Sequence, residues 1–151
     1  MSYTRDYTDL NRALDDVQPL LNDWTRRLED GSTPMPSTEH LRYARLVLHE
    51  WIANLLQHAD FADRAPSISI HLSTENRHVY CSVVDNSTGF DLEHHLPAQE
   101  DAVESFPERG MGLRIIDACT DTLTYTSIEA GRHRFAFSIP SDHDPWMSMQ
   151  F

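Results

Sequence analysis

Hydrophobic positions recur with two different periods along this chain. Leu10, Leu14, Val17, Leu21, Trp24 and Leu28 are spaced by three or four and predict a helix over residues 9–29. Pro19 falls inside that pattern and is expected to kink or split it. Gly31 to Pro36 forms a break, and Ser37 then reads as an N-cap. Leu41, Ala44, Leu48, Trp51, Ile52, Leu55 and Leu56 trace the buried stripe of a second, longer helix ending near Ala59.

Beyond that point the period shortens to two. Ile68, Ile70 and Leu72 share one face of a strand over residues 66–74, and Val79, Cys81 and Val83 share one face of another over 77–85. Glu75 and Asn76 supply turn chemistry, so the two strands predict an antiparallel hairpin. Residues 86–110 are polar and acidic and read as a long loop, which in a compact domain is usually a lid or binding loop. A shorter helix is expected over 111–119, and two strands over 121–128 and 132–140 around Ala130 and Gly131. Residues 3–7 predict a short first strand, and residues 141–151 are a tail without period. This order predicts an α+β two-layer sandwich, a mostly antiparallel sheet with helices on one face, as a single domain over residues 1–140.

Composition narrows the partners. The chain has 151 residues, with 24 acidic and 12 basic, a formal net charge of −12. Every basic residue is arginine. Such a surface repels phosphate polymers and anionic lipid, so no direct nucleic-acid or membrane partner is expected. A nucleotide could still bind through a helix N-terminus, a cation or a few placed arginines. Cys81 and Cys119 lie in apolar runs without zinc-ligand spacing and are expected as two buried free thiols. The first residues lack the apolar run of a signal peptide, and no window approaches the ~20 apolar residues of a membrane span, so a cytoplasmic protein is expected. The adjacent pair His94–His95 lacks a third ligand and reads as solvated.

Three segments could carry chemistry. Glu50, Asn54 and His58 stand at i, i+4 and i+8, a polar stripe beside the apolar one on the long helix. That stripe is either a solvated face or a site where an amide oxygen holds Mg²⁺ and a carboxylate acts as base. Asp85-Asn86-Ser87-Thr88-Gly89-Phe90-Asp91 ends a strand in a turn. Its Asp85 is either an Asx-turn residue or a buried acceptor for an exocyclic amine, which separates adenine from guanine. Gly89 would let backbone approach a flat ring. Glu108-Arg109-Gly110-Met111-Gly112-Leu113 opens a helix with a glycine pair whose free amides favour phosphate, with Arg109 beside them.

The order and spacing of these segments resemble the Bergerat-fold ATPases, the superfamily of gyrase, histidine-kinase and mismatch-repair ATP-binding domains. Glu50-x-x-x-Asn54-x-x-x-His58 is similar to its N-box, Asp85-x-Ser87-x-Gly89-Phe90-Asp91 to its first glycine box, and Arg109-Gly110-Met111-Gly112-Leu113 to its second. Within the superfamily the short chain most resembles the anti-sigma-factor serine/threonine kinases. The resemblance implies that Glu50 is the general base, Asn54 the Mg²⁺ ligand and Asp85 the reader of the adenine amino group. It implies further that Gly89 lines the base pocket and Gly110 and Gly112 cradle the ATP phosphates. Arg109 falls near the γ-phosphate or partner, and His58, Met111 and Leu113 fall with the nucleotide-binding set. The implied partners are a small anti-anti-sigma protein, phosphorylated on serine, and a sigma factor, with a homodimer also compatible.

Two departures stand out. Ser87 replaces the first glycine of Asp-x-Gly-x-Gly, at a cost on the order of 1 kcal/mol if that position needs a positive φ. Gly131-Arg132-His133 stands where the family often has Gly-Thr, and no nucleotide role is carried over to it. Both leave open a partner-binding switch module without catalysis. A two-component histidine kinase fits less well, because about 36 residues before the long helix leave no room for a phosphoacceptor hairpin.

Overall fold

The computed structural model describes residues 2–89, 116, 119–129 and 131–143. Among the described residues the elements with defined bounds follow in the order β1 (Ser2–Tyr7), α1 (Leu10–Asp15), α2 (Val17–Glu29), α3 (Thr38–His58), β2 (Ile68–Glu75), β3 (His78–Asp85), β4 (Thr122–Glu129) and β5 (Arg132–Ile139). The expected loop beyond Gly89, the 111–119 helix apart from helical Ile116 and Cys119, and the tail beyond residue 143 lie outside the described residues.

The first helical stretch is split, but at Asp16 rather than at Pro19. Proline lacks the N–H that would reach the carbonyl four residues back, and its ring collides with that carbonyl. For Pro19 that residue is Asp15, the last of α1. Pro19 itself occupies the third position of α2, in the first turn, where an N–H has no helical acceptor. Asp9 caps α1 by accepting from the Asn11 amide at 2.9 Å, and Ser37 caps α3 by accepting from the His40 amide at 3.0 Å.

The strands pair in the order β1-β2-β3-β5-β4, every neighbour antiparallel. The β2–β3 hairpin turns on Asn76 and Arg77, both at positive φ (52° and 67°), the twist-matched geometry of two-residue hairpins. One sheet face carries Tyr3, Tyr7, Ile68, Ile70, Leu72, Val79, Cys81, Val83, Phe135, Phe137 and Ile139, all buried against Val17, Leu20, Trp24, Leu28, Val47, Leu48, Trp51, Ile52 and Leu55. Edge strand β1 is fastened to α2 where the Tyr3 hydroxyl donates to Asp23 at 2.6 Å and Arg5 pairs with the same carboxylate at 3.2 Å. The Tyr3 hydrogen bond and three nearby arginines hold the Asp23 carboxyl below its ordinary range. The expected free thiols are both present and buried. Burial raises each thiol, Cys119 to about 11.

Candidate nucleotide site

Alternation along β3 puts Asp85, its last residue, on the inner face after Val79, Cys81 and Val83. Register sets Ile68 on one side of it and His133 on the other. Asp85 is 1% exposed, so its carboxylate must find partners in the protein or in a ligand.

One oxygen is satisfied locally. Asp85 Oδ1 accepts from the Ser87 amide at 2.9 Å and from the Ser87 hydroxyl. The same hydroxyl accepts from the Gly89 amide at 3.1 Å. The Asx-turn and buried-acceptor readings of Asp85 are therefore compatible, since the turn uses Oδ1 alone. Asp85 Oδ2 is buried and has no hydrogen-bond partner among the described residues.

The condition for strain at Ser87 is not met. Its φ is not positive, and it is fully buried. The left-handed residue of the turn is Gly89, at φ +86°. Serine here orients the carboxylate and ties the turn, which glycine could not do. Asn86 is likewise not at positive φ. Its side chain instead donates to the Ala65 carbonyl at 2.9 Å and accepts from the Ser67 amide at 2.8 Å. Thr88 donates to the Asp60 carbonyl through both its amide (2.8 Å) and hydroxyl (3.0 Å). These bonds clamp residues 86–88 onto the segment after α3, so the rim is formed before any ligand arrives.

Gly89 has a reason beyond its φ. A Cβ built there would lie 2.5 Å from His133 Nε2 and 2.8 Å from Cε1, inside van der Waals contact. The His133 ring thus lies flush against bare backbone. It stacks on Tyr125 at 5.4 Å and 19° between planes, Tyr125 tilts onto Trp51 at 5.2 Å, and Trp51 stacks on Phe135 at 4.0 Å and 7°. This run of rings ties α3 to the floor beside Asp85.

On α3, Glu50 and Asn54 are half-buried and His58 is exposed near the helix end. Asn54 Nδ2 is buried without a hydrogen-bond partner among the described residues. One amide beside one carboxylate suits a cation completed by phosphate and water rather than by a protein cage. Among the described residues no cluster of three or more His, Cys, Asp or Glu could hold a metal alone. Arg109, Gly110, Met111, Gly112 and Leu113 lie outside the described residues, as do His94 and His95. Sequence reasoning missed His133. Its place beside Asp85 follows from the β3–β5 register, which no local pattern encodes.

An orphaned buried carboxylate oxygen beside the bare backbone of Gly89 fits a flat ring bearing an amino group. The histidine kinase-like ATPase domain profile matches residues 12–134. Among solved structures the chain is similar to the Acinetobacter baumannii histidine kinase AdeS, at 16% identity and a TM-score of 0.48, covering 93% of this chain and 68% of that one. No curated protein matches. No helix among the described residues is long and apolar enough to cross a membrane.

Proposed function

Because the chain belongs to the histidine kinase-like ATPase domain family, we propose that it is an ATP- and Mg²⁺-dependent serine/threonine protein kinase acting as an anti-sigma factor. Its substrate serine lies on a small anti-anti-sigma protein, and its second partner is a sigma factor. The observation that carries nucleotide binding is Asp85 Oδ2, buried beside the bare backbone of Gly89 and without a partner among the described residues.

Mg²⁺ and ATP supply the transferable phosphoryl group and offset its charge when bound. The chain's own residues do the rest. Asp85 accepts from the adenine amino group, with Ser87 fixing the carboxylate's orientation. Asn54 would hold Mg²⁺ through its amide oxygen, one helical turn from Glu50. Glu50 accepts the proton of the serine hydroxyl as that oxygen attacks phosphorus, and ADP departs with the electrons of the broken bridging bond. Arg109, Gly110 and Gly112 hold the phosphates, with Met111 and Leu113 between and after the glycines. The serine specificity and both partners rest on the three-motif resemblance.

The test pairs Mg-ATP binding with transfer of labelled phosphate to a small protein recovered from the native host by pull-down. Acid-stable phosphoserine is expected, lost in Glu50→Ala while ATP binding persists. Full transfer by Glu50→Ala would remove the assignment of the base, and acid-labile phosphohistidine would move the chain to histidine-kinase chemistry.

A further inference from the structure

Asp85 has a neighbour whose position calls for a role. His133 stands directly opposite it across the β3–β5 ladder. Residues paired in this way point to the same face with their Cβ atoms about 4.5–5.5 Å apart. His133 and Asp85 therefore project side by side into the space under the turn. The imidazole's Nε2 edge is pressed against Gly89, and one ring face is covered by Tyr125. Its other nitrogen, Nδ1, is buried with no hydrogen-bond partner among the described residues. Buried Asp85 and half-buried His133 thus each present one buried polar atom without a partner among the described residues, Asp85 Oδ2 and His133 Nδ1. Folded proteins rarely leave such atoms unpaired without a ligand or water to meet them.

Their chemistry is complementary to one another. A carboxylate oxygen accepts only, whereas the neutral imidazole protonated on Nδ1 donates there. An acceptor beside a donor matches the amino group and adjacent ring nitrogen on the edge of adenine. Guanine presents the reverse order, a carbonyl where Asp85 accepts and an N–H where His133 donates. We infer that His133 is a second base-reading residue, donating from Nδ1 to the adenine ring nitrogen next to the amino group that Asp85 binds. This inference rests on the nucleotide-binding reading above. It assigns to His133 a contact that Ser87 and Asp85 cannot make, because the hydroxyl is already committed to Asp85 and Gly89.

The test is equilibrium binding of ADP and 1-deaza-ADP, which lacks that ring nitrogen but keeps the amino group. The intact chain, His133→Ala and His133→Asn are compared, the last placing an amide donor close to the position of Nδ1. The intact chain should prefer ADP by about tenfold, the size of one hydrogen bond. His133→Ala should lose about tenfold for ADP and nothing for 1-deaza-ADP, erasing the preference. His133→Asn should keep most of it. Equal binding of the two nucleotides by the intact chain, or an undiminished preference in His133→Ala, overturns the inference. So does tighter ADP binding by His133→Ala, because His133 would then be an obstruction. If His133→Ala does not fold, the intact chain and His133→Asn decide the matter. No binding of either nucleotide by the intact chain at millimolar concentration overturns the nucleotide-binding reading itself, and this inference with it.

Discussion

Gly89→Ala tests the tightest contact under the turn. Two costs combine. At φ +86° a side chain meets the left-handed penalty, about 1–2 kcal/mol for a residue with a Cβ. The new methyl would also lie 2.5–3.0 Å from three atoms of the His133 ring. That ring cannot swing aside freely, because it stacks on Tyr125, which in turn packs on Trp51. Overpacking of this kind costs about 1–3 kcal/mol, so the substitution should destabilise the fold by about 2–5 kcal/mol in all. Urea unfolding followed by tryptophan fluorescence measures it. The same substitution in a His133→Ala background should lose the overpacking share and keep only the backbone share. A coupling of about 1–3 kcal/mol between the two sites is therefore expected. If Gly89→Ala costs less than about 0.5 kcal/mol, or the two substitutions add within that margin, the close approach of His133 is wrong.

Three further outcomes follow from the same contacts. Ser87→Ala strips a donor from Asp85 Oδ1 and an acceptor from the Gly89 amide, and should cost about 1–3 kcal/mol in denaturant together with weaker ATP binding; an unchanged affinity would show that Ser87 does not orient the carboxylate. Trp51→Ala empties the centre of the ring stack and should lower stability by about 3–5 kcal/mol in thermal or urea unfolding, against less than about 1 kcal/mol if the stack is peripheral. Burial pushes Cys119 up to about 11 and the Tyr7 phenol up to about 12, so the folded state holds these protons longer than the unfolded chain does. Stability should then be fully present below the unfolded values, about 8.5 for the thiol and 10 for the phenol, and be lost as pH rises toward the folded ones. Urea midpoints that stay level from about pH 8 to 12 would contradict both burials.

Much of the sheet was legible because alternation is local. Ile68, Ile70 and Leu72 answer Asp85, Val83 and Cys81 strand for strand in the predicted hairpin. The helix break was legible in kind but misplaced, since proline acts on the carbonyl four residues before it and not on its own position. Asp85 was legible because it closes an alternating strand and opens a turn. Whether Ser87 meets the positive-φ condition was not legible, because φ depends on how the turn hangs from Asp60, Ala65 and Ser67. His133 was passed over because its neighbour lies 48 positions away and is reached through the strand register. Strand order beyond the hairpin was similarly hidden, as β1 pairs with β2 across 60 or more intervening positions.

The central claim is that an adenine nucleotide meets the free oxygen of Asp85. Calorimetric titration of the chain with Mg-ATP and Mg-GTP, repeated on Asp85→Asn, tests it most directly. The account predicts saturable ATP binding, far weaker GTP binding, and loss of the ATP signal in Asp85→Asn without loss of folding, because the amide can still accept from Ser87. No heat with ATP at millimolar concentration, or equal ATP binding by Asp85→Asn, would contradict it.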